Sequence, residues 1–272
     1  MENTRTKTTR NSLILLLTAA IWGMAFVSQS KGMDYMHPFT FNGVRSLIGA
    51  ASILVYILIS RKIAGDKAAP LDWKLNVKAG LLCGIFLTIA STLQQFGIKY
   101  TSVGKAGFIT TLYIIFVPMF GIFLKKKVAP VVWAAAVMAA VGMYLLCMTE
   151  SLRLGAGDIM VFLCAIAFAI QIMTVDHYAA RIDGTVVSCI QFTVCGVVCC
   201  IGALIWGQPT FGQLQEGLGA LLYAGVLSCG VGYTLQIVGQ KGLNPTVAAL
   251  IMSLESVIAT ISGWIAYKIG FL

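Results

Sequence analysis

The sequence predicts an all-α integral membrane protein built from two inverted repeats of about five transmembrane helices. Three observations predict this class: an apolar composition, a division into long apolar runs, and a polar motif that occurs twice within such runs. Hydrophobic residues make up 58% of the 272 residues and charged residues only 11%. A water-soluble domain of this size would have too little polar surface to cover so many apolar side chains.

Nine apolar runs are long enough to cross the hydrocarbon core as helices, which satisfy their backbone groups without water. The predicted spans, one to nine, are Ser12–Gln29, Phe39–Ser60, Val77–Phe96, Gly104–Leu124, Val128–Met148, Gly157–Val175, Val186–Trp206, Leu218–Gly239 and Thr246–Phe271. The first run has no small-residue cleavage site before Trp22-Gly23. We therefore interpret it as a retained span and not as a signal peptide.

The repeat is visible in a motif with an offset of 142 residues. Thr92-Leu93-Gln94 in span three recurs as Thr234-Leu235-Gln236 in span eight, and a glycine and a lysine follow both copies at the same spacing. Five spans separate the copies, and an odd number forces the two halves into opposite orientations. This is the inverted-repeat plan of many secondary transporters. The predicted repeats are residues 1–150, with spans one to five, and residues 151–272, with spans six to nine.

Basic residues predict the orientation. With a cytoplasmic N-terminus, the outside segments hold only Lys31, Lys99, Lys105 and Arg153, and most other basic residues face inward. The net charge of +9 could suggest a nucleic-acid partner. Its basic residues instead lie in short clusters between apolar runs, such as Lys125–Lys127, so we expect no nucleic-acid binding.

Two charged residues lie within predicted spans. An ionised carboxylate in hydrocarbon is costly, so Glu255 in span nine is expected to face a cavity, a partner or a proton path. A structural glutamate bonded to neighbouring helices is the alternative. Arg45 in span two is a candidate for binding a carboxylate or for pairing with Glu255 as a gate. It could equally extend toward the headgroups.

Amide and aromatic side chains complete the candidate site. Gln94, Gln95, Gln171, Gln191 and Gln236 bring donors and acceptors into apolar spans, where each needs a partner. They could line a polar cavity or simply join helices by hydrogen bonds. The candidate aromatic wall consists of Trp22, Tyr113 and Tyr233. Pro118 predicts a kink in span four.

Other chemistries find no support in the sequence. The eight cysteines lie within apolar runs without a Cys-x-x-Cys pair or neighbouring histidines, which favours packed, reduced thiols over disulfides or metal ligands. There is no Gly-x-x-x-x-Gly-Lys loop for ATP and no His-Glu-x-x-His motif. We expect neither an enzyme nor a bound cofactor or metal.

Several stretches resemble one transporter family over nearly the whole chain. They are Ala20–Gly23 with Phe26, Pro38–Arg45, Leu93–Gly97 with Tyr100–Ser102, Gly107–Pro118, Gly157-Asp158, Ala169–Gln171, Tyr233–Gln236 and Ser253–Ser256. In this order and spacing they resemble the EamA-type permeases of the drug/metabolite transporter superfamily.

The resemblance implies ten helices, a central cavity built from the first four spans of each half, and alternating access. It also implies a bacterial inner-membrane location, the export of amino acids or other metabolites, and a homodimer. The cavity or gate positions would be Trp22, Arg45, Gln94, Tyr113, Gln171, Gln191, Tyr233, Gln236 and Glu255. The sequence departs from the family in two places. A glutamate usual after spans four and nine is replaced by Lys125–Lys127 and Lys268–Gly270, and the chain stops at Leu272, where a tenth span is expected.

The sequence therefore predicts a secondary transporter that exports small polar metabolites such as amino acids, with proton coupling through Glu255. The alternative is a non-transporting membrane scaffold or an inactive truncated paralogue. A channel is disfavoured because nothing resembles a ring of charges or a carbonyl filter.

Overall fold

The computed structural model describes residues 2–65, 71–123 and 155–271, together with residues 130, 133–134, 136–138 and 141–142. The described part is helical and contains no strand. Its helices are α1 (Glu2–Gly32), α2 (Pro38–Ala64), α3 (Trp73–Ile98), α4 (Val103–Thr110), α5 (Tyr113–Phe123), α6 (Ala156–Ala179), α7 (Gly184–Gly202), α8 (Phe211–Glu216), α9 (Leu218–Leu222), α10 (Tyr233–Gln240), α11 (Pro245–Met252) and α12 (Glu255–Lys268). Two π-helical segments continue α7 and α9, at Ala203–Gly207 and Tyr223–Gly232.

Eight helical stretches in the described part are long and apolar enough to cross a membrane. They are Lys7–Gly32, Pro38–Ala64, Trp73–Ile98, Val103–Phe123, Ala156–Ala179, Gly184–Gly207, Leu218–Gln240 and Pro245–Lys268. These stretches correspond to predicted spans one to four and six to nine. Predicted span five, 128–148, lies for the most part outside the described residues, and so does the predicted repeat boundary at residue 150. The protein is an all-α membrane protein.

The two ends of the bundle are named here by a residue in one of their turns. The Tyr100 end carries the turns 33–37 and 99–102, and the Lys241 end carries the turns 180–183 and 241–244. Side chains in these turns start the next helix. Ser102 accepts a hydrogen bond from Lys105 N before α4, and Asn244 accepts one from Thr246 N before α11. Both are N-caps, which satisfy donors that the first helical turn leaves free.

Spans four and nine are each interrupted once, at equivalent positions. The break lies at Thr111 and Leu112 between α4 and α5, and 142 residues later at Ser253 and Leu254 between α11 and α12. The Thr111 hydroxyl donates to the Phe108 carbonyl at 2.9 Å, and the Ser253 hydroxyl donates to the Leu250 carbonyl at 2.8 Å. Such bonds to a preceding carbonyl bend helices. The duplicated break thus has a hydroxyl residue at the same position of each repeat.

The two repeats pack mainly against each other. Span two packs on its equivalent, span seven, and span four on its equivalent, span nine, while the other contacts between the repeats occur in equivalent pairs. Span two packs on span eight and span seven on span three, while span three packs on span six and span eight on span one. Span one also packs on span nine, as span six does on span four. Every pair is therefore matched by its repeat equivalent. This duplication of contacts is what a pseudo-twofold axis between inverted repeats produces.

Small residues allow α2 and the π-helical segment of span eight to approach closely. A Cβ atom added at Gly225 would lie 2.9 Å from the Arg45 carbonyl oxygen and 2.8 Å from Ile48 Cβ. A Cβ atom at Gly49 would lie 2.9 Å from the Gly225 carbonyl oxygen. Glycine at these positions lets two backbones meet and sets how far α2 lies from span eight.

Candidate functional site

A small polar cavity lies between the two repeats, with a volume of about 30 Å³. Typical ligand pockets measure roughly 300 to 1,000 Å³, so this cavity has room for water but not for a metabolite. It is lined by Trp22, Ala25, Phe26, Gln29, Arg45, Gln94, Thr110, Tyr113, Phe168, Gln171, Ile172, Ser228, Tyr233, Gln236 and Glu255. This conformation is closed in the sense that the cavity is too narrow to hold a metabolite.

Much of this lining is duplicated by the repeat. Eight of the lining residues form four pairs with the 142-residue offset of the sequence motif. These pairs are Phe26 with Phe168, Gln29 with Gln171, Gln94 with Gln236, and Tyr113 with Glu255. Each repeat thus contributes one aromatic ring and two amides from the same positions. The cavity lies where the pseudo-twofold axis relates one repeat to the other.

Tyr113 and Glu255 meet directly at this axis. Each is the first residue of the second half of an interrupted span, at the start of α5 and of α12. The Tyr113 hydroxyl donates a hydrogen bond to Glu255 Oε1 at 3.0 Å. Glu255 is 3% exposed. Among the described residues, the hydrogen-bond partner of its carboxyl group is this hydroxyl.

The four amides form two pairs that differ in depth. Gln29 and Gln94 lie near the ends of α1 and α3 that face the Tyr100 end, while Gln171 and Gln236 lie in the halves of their spans nearer the Lys241 end. Gln236 Nε2 donates to Gln171 Oε1 at 3.2 Å. Gln94 Nε2 donates to the Thr110 hydroxyl at 3.2 Å.

Three amide atoms at the cavity are left without a hydrogen-bond partner among the described residues: Gln29 Oε1, Gln171 Nε2 and Gln236 Oε1. Buried polar atoms normally have a partner, so unpaired ones at a cavity indicate contacts with water or with a ligand. The set contains both acceptors and a donor. Such a lining is suited to a solute that offers both kinds of group.

Arg45 brings a buried positive charge to the same cavity. Its side chain is 5% exposed, and its Nε donates to Asn42 Oδ1 at 2.9 Å. The guanidinium carbon lies 5.4 Å from the centre of the Phe41 ring. In the described part of the chain no carboxylate lies within 4.0 Å of this guanidinium, so Arg45 and Glu255 do not form an ion pair in this conformation.

Trp22 and Tyr233 form an aromatic wall of the cavity. Their ring centres are 4.5 Å apart, and Phe192 packs edge-on against Tyr233 at 5.0 Å. The Trp22 indole nitrogen donates to the Ser228 carbonyl at 3.4 Å. That carbonyl belongs to the π-helical segment of span eight. The wall thus connects span one to the irregular part of span eight.

Two of the predicted site residues lie outside this cavity lining. Gln95 is fully buried behind it and donates from Nε2 to the Gln29 carbonyl at 3.1 Å. Successive residues on a helix point about 100° apart, and here Gln94 lines the cavity while Gln95 packs behind it. Gln191 is fully buried on span seven, where its Cα lies 3.1 Å from the position of a Cβ added at Gly84 of span three. It therefore lies at the packing interface between these spans.

The other eight predicted residues line the cavity together, and the structure adds several that the sequence analysis did not name as candidate site residues. Gln29, Phe26, Phe168 and Thr110 are the clearest additions. Three of these residues could have been found in the sequence from the 142-residue offset of the duplicated motif. Gln29 is the equivalent of the predicted residue Gln171, and Phe26 is the equivalent of Phe168.

Polar contacts tie the repeats together at both ends of the bundle. At the Tyr100 end, Lys105 Nζ lies 2.6 Å from Asp158 Oδ2, and the Thr101 hydroxyl donates to Asp158 Oδ1 at 2.8 Å. At the Lys241 end, Asn11 Nδ2 donates to the Lys241 carbonyl at 2.7 Å. These contacts hold the two repeats together on either side of the closed cavity.

The described residues contain no group of three or more histidine, cysteine, aspartate or glutamate side chains arranged to hold a metal ion. The cysteines that the structure describes are free thiols, and most are buried. Cys147 of the sequence lies outside the described residues.

A polar cavity shared by two inverted repeats of membrane-spanning helices defines a class, the multi-pass membrane transporters. The comparison with family models is consistent with this class. The EamA-like transporter family model matches residues 10–148 and 155–271. The chain belongs to the EamA-like transporter family.

Individual relatives support the same class. The chain is 28% identical to an uncharacterized transporter of Archaeoglobus fulgidus over 251 residues, covering 90% of this chain and 74% of the relative. It is 27% identical to the uncharacterized transporter YwfM of Bacillus subtilis over 256 residues, covering 93% and 84%. A solved crystal structure with 17% identity superposes with a TM-score of 0.75 over 97% of this chain and 89% of the other, which supports the fold.

Proposed function

We propose that this protein exports small polar metabolites such as amino acids by alternating access of its two repeats. The observation that carries the proposal is the composition of the cavity, whose lining comes from equivalent positions of both repeats. A site on the axis between inverted repeats can open toward either side of the membrane when one repeat rocks against the other. The closed conformation then corresponds to an intermediate between the two open ones.

The pathway residues in this proposal are the eight sequence-predicted residues of the cavity lining. They are Trp22, Arg45, Gln94, Tyr113, Gln171, Tyr233, Gln236 and Glu255. The aromatic wall would close over the solute, and the amides would replace part of its water. Gln95 and Gln191 would support this lining from behind and from the interface of spans three and seven.

The proposal also gives the protein a location and an orientation. The basic segments favour a cytoplasmic N-terminus in a bacterial inner membrane, so the Lys241 end would face the cytoplasm. Export would then carry solute from the Lys241 end to the Tyr100 end. A homodimer remains a prediction from the family resemblance.

Glu255 is the proposed proton-linked group. A buried carboxyl on the axis, hydrogen-bonded to one tyrosine, can exchange a proton with each side as the repeats alternate. Glutamine keeps the shape of glutamate but carries no exchangeable charge. The Glu255→Gln variant should therefore lose the response of its remaining solute exchange to a pH gradient.

Counterflow in proteoliposomes tests the proposed function. Vesicles loaded with a mixture of unlabelled amino acids and small metabolites are diluted into trace labelled solutes, with and without a pH gradient. Transient accumulation of a label above equilibrium would establish a carrier. No accumulation of any solute by folded protein would contradict the proposal and favour a scaffold. The Glu216→Gln variant, altered at an exposed glutamate, is the matched control for Glu255→Gln.

A further inference from the structure

The charged groups of the cavity break the symmetry of its lining. The amides and phenylalanines come in equivalent pairs, but the 142-residue offset relates Arg45 to Val187 and Glu255 to Tyr113. The first repeat therefore supplies a guanidinium group and the second a carboxyl group. A symmetric lining would hold a solute equally well in two opposite orientations. This lining has two different titratable groups and can distinguish the two orientations.

Arg45 is suited to an anionic group of the solute. Its Nε is occupied by Asn42, while Nη1 and Nη2 form no hydrogen bond with the described residues. A guanidinium presents its donors in a planar fork that matches a carboxylate in a bidentate pair. Since an isolated buried charge is costly, an anion entering the cavity would be bound strongly there.

Glu255 is suited to the opposite group. Its Oε1 accepts from the Tyr113 hydroxyl, and its carboxyl group has no other partner in the described part. An ammonium group offers three donors and a positive charge. The tyrosine hydroxyl binds one oxygen of the carboxyl group, and the other oxygen has no hydrogen-bond partner in the described part.

We infer that Arg45 and Glu255 hold the two ends of a zwitterionic solute, with its carboxylate on Arg45 and its ammonium group on the Glu255–Tyr113 pair. This inference rests on the proposed function and names the substrate class of that site. With Glu255 ionised in the complex, a zwitterion supplies a counter-ion to each buried charge and adds no net charge to the cavity. A simple amine or a simple carboxylic acid would leave one of the two charges unpaired.

The test uses matched sets of three solutes for alanine, leucine and phenylalanine. Each set contains the amino acid, its carboxamide, which lacks the negative charge, and its deaminated acid, which lacks the positive charge. Binding to the purified full chain is measured as ligand-dependent thermal stabilisation, and competition is measured by counterflow. The wild type should prefer the amino acid to both analogues in at least one set by about tenfold or more, since each analogue lacks one charge-assisted contact.

Two variants assign the ends. In Arg45→Gln, the preference for the amino acid over its carboxamide should fall to near one, while discrimination against the deaminated acid persists. In Glu255→Gln, the preference for the amino acid over its deaminated acid should fall to near one, while discrimination against the carboxamide persists. If Arg45→Gln does not fold, Arg45→Lys replaces it in the test. Lysine keeps the positive charge but lacks the planar fork of donors, so this variant should retain part of the preference for the amino acid over its carboxamide. Arg61→Gln and Glu216→Gln, outside the cavity lining, should keep the wild-type pattern.

The outcomes separate this inference from the proposed function. Equal binding of all three solutes by the wild type would overturn the inference, and so would an unchanged preference in folded Arg45→Gln or Glu255→Gln. Uniform weakening of all three solutes in a variant would indicate a structural role and overturn the assignment of that residue. Counterflow of other metabolites without binding of any amino acid would overturn the inference but leave the transporter standing. Absence of all counterflow would contradict the proposed function itself.

Discussion

At the residue scale, the hydrogen bond between Gln236 and Gln171 joins two spans of the second repeat at the cavity. Gln236 Nε2 and Gln171 Oε1 are 3.2 Å apart, and both side chains are nearly fully buried. Their remaining amide atoms, Gln171 Nε2 and Gln236 Oε1, have no partner in the described residues. The pair therefore joins two spans by a hydrogen bond and leaves one donor and one acceptor available to a solute.

This bond should be measurable as a coupling energy. We expect Gln171→Leu and Gln236→Leu to be non-additive in a double-mutant cycle, with a coupling of about 1 kcal/mol. Thermal unfolding in detergent gives the four stabilities. A second cycle of Gln171→Leu with Gln95→Leu should be additive, because Gln95 bonds to the Gln29 carbonyl instead. Coupling of equal size in both cycles would mean that the effect is not due to the hydrogen bond.

The sequence could predict which residue types carry the site but not which side of each helix faces it. Polar side chains inside apolar spans identified Arg45, Gln94, Gln171, Gln236 and Glu255. Gln95 has the same chemistry as its neighbour, and only the packing of α3 turns one amide to the cavity and the other behind it. Gln29 was missed because it lies near the end of its apolar run, where a polar residue is expected anyway.

At the element scale, the interrupted spans set the position of Tyr113 and Glu255. Sequence reasoning placed the irregularity of span four at Pro118, yet α5 continues through that residue and the break lies at Thr111 and Leu112. The equivalent break in span nine, at Ser253, needs no proline. A hydroxyl that bonds back to a carbonyl is a weak sequence signal, since most serines and threonines in helices do so without ending them.

The close approach of α2 to span eight should be sensitive to a single methyl group. Gly225→Ala would place a Cβ atom 2.9 Å from the Arg45 carbonyl oxygen, and we expect a loss of about 1–3 kcal/mol in stability from overpacking. Since α2 carries Arg45, KM for counterflow should also rise. The control is Gly219→Ala, which has nothing within 4 Å of the added atom and should be neutral or slightly stabilising. Equal effects of both variants would contradict this packing.

The contact at the Tyr100 end should contribute to the stability of the closed conformation. Asp158 has a side chain 3% exposed and pairs with Lys105, so Asp158→Asn is expected to cost about 2 kcal/mol or more in thermal unfolding. The exposed pair of Lys31 and Asp34 provides the comparison, because Asp34→Asn should cost less than about 0.5 kcal/mol. A cost for Asp158→Asn as small as that for Asp34→Asn would show that the buried pair does not hold the repeats together.

At the scale of the whole molecule, the inverted repeat accounts for the fold, the cavity and its closed state together. Composition and the length of the apolar runs were sufficient to predict a helical membrane protein, and the duplicated motif was sufficient to predict the inversion. The sequence could not predict that the cavity would be nearly closed. Its volume depends on how far the repeats have rocked together, which is a balance of contacts between many residues and not a property of any motif.

The most direct test of alternating access uses one repeat-equivalent pair from opposite depths of the cavity. Gln94→Cys and Gln236→Cys are labelled with a membrane-impermeant maleimide in sealed vesicles of both orientations, with and without the amino acids that give counterflow. Labelling of the parent protein is subtracted. Alternating access predicts reciprocal changes: a solute condition that increases labelling of position 94 from the Tyr100 end decreases labelling of position 236 from the Lys241 end. Simultaneous increases at both positions would indicate a channel, and solute-independent labelling would indicate a scaffold; either result would contradict alternating access.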